Sequence, residues 1–455
     1  MSSWFLSSER GEQGADMETK VFRKDFWVAR EWNERRWAMV KTRRVASVAT
    51  LAGLALGLCL CAAPSPAQAI ATSDQPAAIL YWPKIVVDTA GIINGTPTDT
   101  VIRLSNTCDP QVVGNPCYQG GTGLFGLKQA HCFYVDANSH CSNTPTQVCQ
   151  SGADCGIGSC VPGWSEIDFD IVLTVGQPLA WHAADGLSRG QFPMEIPGVC
   201  ANPAGRVCTS DGQCGAGGCI KQQSNIGSGI PMVPEDPFVG SLQCIEYDPS
   251  ANPPVPDQTA TTNTLKGEAT IEGVLTGAVD IASYNAVGVK YVGPAGGVPG
   301  AQLNLDGLEY DTCPTTLILD HLFDTPFNDT DLTLVPCGND FLSQTCGEAT
   351  AQFVVFNEYE QRFSTTRAVD CFLESQISTL DTPDPSRSIF SEAVSGTIVG
   401  QTRIHPVGNA GTGRGLVGVA RLSLATSLTS GGSAAYNLHQ QGSPTATQPD
   451  IITIP

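Results

Sequence analysis

The sequence predicts a mainly β chain built as two antiparallel, Ig-like β-sandwich domains, the first carrying two small disulfide-knot insertions. Three observations carry this. Short runs alternate apolar and polar residues with a period of two, glycine and proline are abundant at 48 and 31 of 455 residues, and long helical periods are scarce. The clearest run is "EIDFDIVLTV" (166–175), in which Ile167, Phe169, Ile171 and Leu173 point one way and Asp168, Asp170 and Thr174 the other.

In chain order, the first 69 residues read as a leader. "MVKTRR" (39–44) is a basic n-region, "VASVATLAGLALGLCLCAA" (45–63) an apolar h-region, and Ala67-Gln68-Ala69 a signal-peptidase pattern, so a mature chain is expected to begin at Ile70. Residues 1–38 are either an extended leader or precede the true start, and an uncleaved anchor is the competing reading of the apolar run. The leader holds 10 of the 24 basic and 7 of the 44 acidic residues, leaving 14 and 37, a net charge of about −23. Such a surface repels nucleic acid and anionic lipid. No later stretch is apolar enough for an integral membrane span.

The first sandwich is expected over 75–247, with a strand at "TVIRLSNT" (100–107) besides 166–175. "DPSANPPVPDQTATTNT" (248–264) is rich in proline and threonine and reads as a linker. The second sandwich is expected over 265–428. Its strands are placed at "TTLILDHLF" (315–323), "TDLTLV" (330–335), "AQFVVFNEYEQRF" (351–363), "GTIVGQTRI" (396–404) and "GLVGVARLSL" (415–424). "RAVDCFLESQIST" (367–379) suits a short helix or further alternation. The tail, 429–455, is either loose or lends a final strand.

Sixteen cysteines follow the leader, an even number that with a signal peptide implies an oxidising compartment and a disulfide framework. Eight of them form a repeat. "CSNTPTQVCQSGADCGIGSC" (Cys141, Cys149, Cys155, Cys160) and "CANPAGRVCTSDGQCGAGGC" (Cys200, Cys208, Cys214, Cys219) both read C-x7-C-x5-C-x4-C. Each is too small and too polar to bury a core, so it needs staples. Four cysteines allow three connectivities; first-to-third and second-to-fourth is the expectation. Of the other eight, Cys108–Cys117 and Cys337–Cys346 would close short loops, and Cys132–Cys244 and Cys313–Cys371 would tie distant strands.

"CTSDGQCGAGGC" resembles the short cysteine-rich modules of Dickkopf-like and EB-type proteins, and the small repeats of secreted proteins from myxobacteria and related bacteria. The resemblance covers about forty residues. It implies a disulfide microdomain in a secreted protein and no particular activity.

Candidate chemistry is sparse. "HCFYVDANSHC" (131–141) sets His131 beside Cys132 and His140 beside Cys141. Strand neighbours point to opposite faces, so these pairs suit disulfides better than a metal ion. No cofactor is expected, although calcium would suit so acidic a chain. Its candidate ligands are Asn304, Asp306, Glu309 and Asp311, oxygen donors around the Gly307 turn of "NLDGLEYD". Glu358 with Glu360, and the stripe Glu166, Asp168, Asp170, each place carboxylates on one strand face, as a glycoside hydrolase would need. No phosphate-binding glycine loop is expected; "GTGRGLVG" (411–418) reads as a turn entering a strand. Trp164, Trp181 and Tyr81-Trp82 either pack in the core or form a sugar or peptide platform.

The expectation is a non-enzymatic, secreted or periplasmic, disulfide-stabilised protein of the cell envelope or extracellular matrix, serving structure or binding an unidentified protein or glycan ligand. The alternatives are a carbohydrate-active hydrolase using paired carboxylates and a calcium-stabilised surface protein.

Overall fold

Alternating sequence produces strands at nearly all the predicted places in the computed structural model. It describes residues 71–455 apart from 73, 93–95, 109–127, 150–151, 162–164, 174, 189–197, 201–206, 209–211, 213, 216–217, 221–228, 248–261, 276–277, 294–301, 323–327, 408–414, 428–429 and 443–448. The leader therefore lies outside the described residues, as do Cys117 and Trp164.

The expected pair of Ig-like sandwiches is not what these strands build. The sheets are small, and the five main ones are arranged as a five-bladed β-propeller. Blade I runs, edge to edge, Val287–Val289, Ile79–Val87, Phe238–Tyr247, Lys128–Asp136, Ser165–Leu173. Blade II is Ala278–Asn285, Leu265–Leu275, Thr98–Asn106, Pro178–His182. Blade III is Gln302–Leu305, Asp450–Thr453, Asn339–Asp340. Blade IV is Arg362–Asp370, Glu348–Asn357, Val399–Val407, Thr316–Leu322, His439–Gln441. Blade V is Leu373–Gln376, Asn328–Pro336, Leu416–Ser427, Ser430–Asn437. The physical reason for the correction is that period-two alternation reports one buried face per strand. It does not report which strands share a sheet or which sheets face each other.

Distant strands assemble most blades. The expected second domain begins by completing the first: Leu265–Leu275 pairs antiparallel with Thr98–Asn106, from Leu265↔Asn106 to Gly273↔Thr98. Val287–Val289 likewise joins Ile79–Val87. Residues Ala67–Pro455 accordingly form one compact unit. The expected linker lies outside the described residues as far as 261. The tail lends three strands, Ser430–Asn437, His439–Gln441 and Asp450–Thr453, one to each of blades V, IV and III.

Three cores hold the blades together. Ile102, Leu104 and Ile271 of blade II meet Leu80, Trp82, Tyr134 and Ile171 of blade I. Ile79, Tyr81, Phe133 and Ile245 on the opposite face of blade I meet Leu303, Leu305 and Ile452 of blade III, with Val335 and Val417 of blade V reaching in. Leu317, Phe353 and Ile404 of blade IV meet Leu332, Leu334 and Ala420 of blade V. Blade I is thus apolar on both faces, and Ile79–Val87 is buried at every position, Lys84 included. Helix is minimal among the described residues. "RAVDCFLESQIST" forms the end of one strand, the short strand Leu373–Gln376 and the 3-10 turn Ile377–Thr379.

The two cysteine repeats fold alike. Each is a three-stranded sheet whose middle strand carries the first cysteine, flanked by the strands of the second and fourth. Cys141 pairs in register with Cys160, and Cys200 with Cys219. Bridges Cys141–Cys155 and Cys149–Cys160 give the expected first-to-third, second-to-fourth order, and Cys200–Cys214 repeats the first of these. Cys132–Cys244 joins two neighbouring strands of blade I across directly opposed positions. Cys108 is also disulfide-bonded. In the second half the expected partners are exchanged: the bridges are Cys313–Cys337 and Cys346–Cys371. Cys313 enters the core shared by blades I and III, where Cys337 already lies, so burial rather than sequence proximity selects the partner.

Candidate functional site

Where blade I meets the first cysteine repeat, three titratable side chains converge. Lys128–Asp136 ends at Asp136, the chain turns through Asn138, and His140 opens the middle strand of the repeat. Glu235 arrives from the segment that leads into Phe238–Tyr247, the neighbour of Lys128–Asp136 in the sheet. His140 Nε2 lies 2.9 Å from Glu235 Oε2 and 3.9 Å from Asp136 Oδ2.

Asn138 organises this group. Its backbone N–H donates to Asp136 Oδ1 at 2.9 Å, and its side-chain amide donates to Glu235 Oε1 and to the Pro237 carbonyl. Each carboxylate thus has one oxygen held by Asn138 and the other turned toward the His140 ring. Burial pushes the Asp136 carboxyl up to about 7; the Asn138 N–H opposes this and the nearby Glu235 carboxylate adds to it. Asp136, His140 and Glu235 offer three donor atoms within 4.8 Å of one another. Cys141, Cys149 and Cys155 are equally close, but all three are in disulfides.

From sequence, His140 stands out only beside Cys141, and neither Asp136 nor Glu235 stands out. Asp136 and His140 stand four apart across a turn, which is a readable signal. Glu235 lies 95 residues from His140 and carried none.

The other histidine of that stretch meets the predicted acidic stripe. His131 pairs in register with Asp170; its Nδ1 is 2.8 Å from Asp170 Oδ1 and its Nε2 3.7 Å from Asp168 Oδ2. Burial, then the charge of Asp168, raises the Glu166 pKa, while a Gln344 hydrogen bond and His131 oppose it. Both ring nitrogens of His131 therefore face carboxylates, an ion-pair geometry on a half-exposed sheet face.

Glu358 and Glu360 do not share a strand face. They lie exposed in the turn between Glu348–Asn357 and Arg362–Asp370, where Asn357 Oδ1 accepts from the Tyr359 and Gln361 amides. The calcium candidates are used inside their own turn. Asp306 Oδ1 accepts from the Leu308 and Glu309 amides, and Glu309 Oε2 accepts from Asn304 N and Nδ2. Asp311 is buried and accepts from Lys290 N; burial raises its pKa, and Lys290 opposes the rise. Gly307, at φ +82°, makes the turn possible.

Of the aromatic candidates, Tyr81, Trp82 and Trp181 are core residues, and Trp164 lies outside the described residues. Trp82 is fully buried, and Trp181, also buried, donates from Nε1 to Tyr134 Oη at 2.7 Å. Tyr81 Oη donates to the Cys337 carbonyl at 2.8 Å. These side chains form no surface platform.

Fold and site together define a mainly β, disulfide-stabilised protein. No protein-family model matches the chain, and no curated protein matches it in sequence. Among the described residues, no helix is long and apolar enough to cross a membrane.

Proposed function

We propose that this is a secreted or surface-held protein that binds, without catalysis, a protein or glycan of the cell envelope or extracellular matrix. The observation that carries the reading is the pair of repeats with one strand order and one register, set on a body braced by further disulfides. Two copies of a stapled microdomain add little to a core that already exists, which suits them to a role outside it. Ile157, at the tip of the first, is fully exposed. An apolar side chain held so far from any core is suited to contact.

Co-sedimentation of the full chain with purified envelope fragments tests this. The chain is expected to sediment with them, and Ile157→Asp or replacement of 141–160 by a short linker is expected to weaken sedimentation several-fold while near-UV circular dichroism persists. A chain that stays in the supernatant at all ratios, or that releases sugar fragments from the envelope, counts against it.

The hydrolase alternative has one favourable observation, Glu166 beside Asp168 and His131 with its pKa raised by burial and by the Asp168 charge. Loss of any measured glycan hydrolysis in Glu166→Gln would support it.

A further inference from the structure

We propose that Asp136, His140 and Glu235 form a binding site for one zinc-type divalent cation, clasping the first cysteine repeat to blade I. The site is independent of what the repeats bind.

The donor atoms are of the right kind. Zinc takes imidazole nitrogen and carboxylate oxygen at ~2.0–2.2 Å, which sets tetrahedral ligand-to-ligand distances of about 3.3–3.5 Å. The His140 Nε2 distances, 2.9 Å to Glu235 Oε2 and 3.9 Å to Asp136 Oδ2, bracket that value. With all three donor atoms within 4.8 Å of one another, small side-chain shifts would seat an ion between them, with a fourth position taken by water.

The support around the donors is the second observation. A metal site needs its ligands oriented from behind, and Asn138 does this for both carboxylates. It occupies Asp136 Oδ1 and Glu235 Oε1 and leaves Oδ2 and Oε2 directed at the ring nitrogen. Each acid would therefore bind through a single oxygen.

Charge agrees. Two carboxylates and a neutral imidazole balance a divalent ion. Among the described ion pairs, neither acid meets a lysine or arginine. The Asp136 side chain is only 4% exposed and those of His140 and Glu235 about 20%, so the pair of acids is poorly screened by water. A nitrogen ligand and three donors do not suit calcium, which takes six to eight oxygens.

His131 is the internal control. Its carboxylate neighbours sit on opposite ring nitrogens, so no single ion could contact the ring and both acids.

The test uses the untagged full chain, stripped with chelator. Zinc(II) titration against a chromogenic chelator is expected to give one equivalent bound, with a raised melting temperature. Cobalt(II) should give visible d–d absorption of a nitrogen–oxygen site. His140→Gln, Asp136→Asn and Glu235→Gln are each expected to lose at least tenfold in affinity and the cobalt spectrum, while His131→Gln keeps both. Should a variant fail to fold, nitrogen NMR of the wild type decides by whether zinc shifts His140 Nε2. Absence of stoichiometric binding, an unmoved His140 Nε2, or equal binding by His140→Gln and Glu235→Gln overturns the proposal.

Discussion

Two buried residues show what single side chains contribute. His321 lies in a strand of blade IV, with its ring edge against Phe390 and Nδ1 3.3 Å from Thr402 Oγ1. Burial depresses its pKa from 6.5 to about 4. The native state therefore refuses a proton that the unfolded chain accepts below pH 6.5. Stability tied to the neutral ring is complete above pH 6.5 and is lost as pH falls toward 4. It amounts to about 3 kcal/mol, and His321→Gln should flatten that limb of a urea-stability-versus-pH curve. Gly267 makes the second case. A Cβ there would meet the Trp82 ring at 2.1 Å, and Trp82 has no room to move. Gly267→Ala should cost ~1–3 kcal/mol in denaturant unfolding, an overpacking penalty. The strand containing Gly267 was assigned to another domain from sequence, so this contact was not legible. The burial of Ile167, Phe169, Ile171 and Leu173 on one face largely was, because alternation within one strand needs no knowledge of its neighbours.

Among the elements, the cysteine repeats behave as stapled units. Among the described residues of the first repeat, the buried apolar cluster is Cys141, Cys149 and Cys155, with Cys160 packed beside them. Replacing Cys141 and Cys155 together by serine removes a bridge spanning 14 residues, worth about 3 kcal/mol. The expected result is local: proteolytic nicking within 141–160, with the main melting transition displaced little. A collapse of that transition would mean the repeat is part of the global fold. These units were the most legible part of the chain because fixed spacing is a local property. Strands were legible for the same reason, as at "TDLTLV", which became Asn328–Pro336. The hairpin inside "AQFVVFNEYEQRF" was missed because Asn357 builds its turn with side-chain hydrogen bonds, without glycine or proline. The Asp136, His140 and Glu235 cluster needed the pairing of Lys128–Asp136 with Phe238–Tyr247, which no local pattern encodes.

For the whole molecule, the decisive feature is that strands from 265–289 complete blades begun before 247. A protease site inserted at 250–258 should yield a nicked protein that migrates as one species in gel filtration. Its two pieces should part only in denaturant. A fragment 75–247 made alone should fail to give a cooperative melt, since blade II would lose Leu265–Leu275 and Ala278–Asn285, two of its four strands. An independently folding fragment would restore the two-domain expectation.

The ends of the described chain meet in one place. Ala71 donates from its amide to Thr312 and lies in the same core as Ile452 and Ile454. A polypeptide leaving the ribosome at ~5–20 residues per second delivers those isoleucines on the order of tens of seconds after Ala71. Through that interval the core on this face of Ile79–Val87 lacks Ile452 and Ile454, however fast the earlier strands pair. The core around Ile79–Val87 is therefore completed only after Asp450–Thr453 has been made.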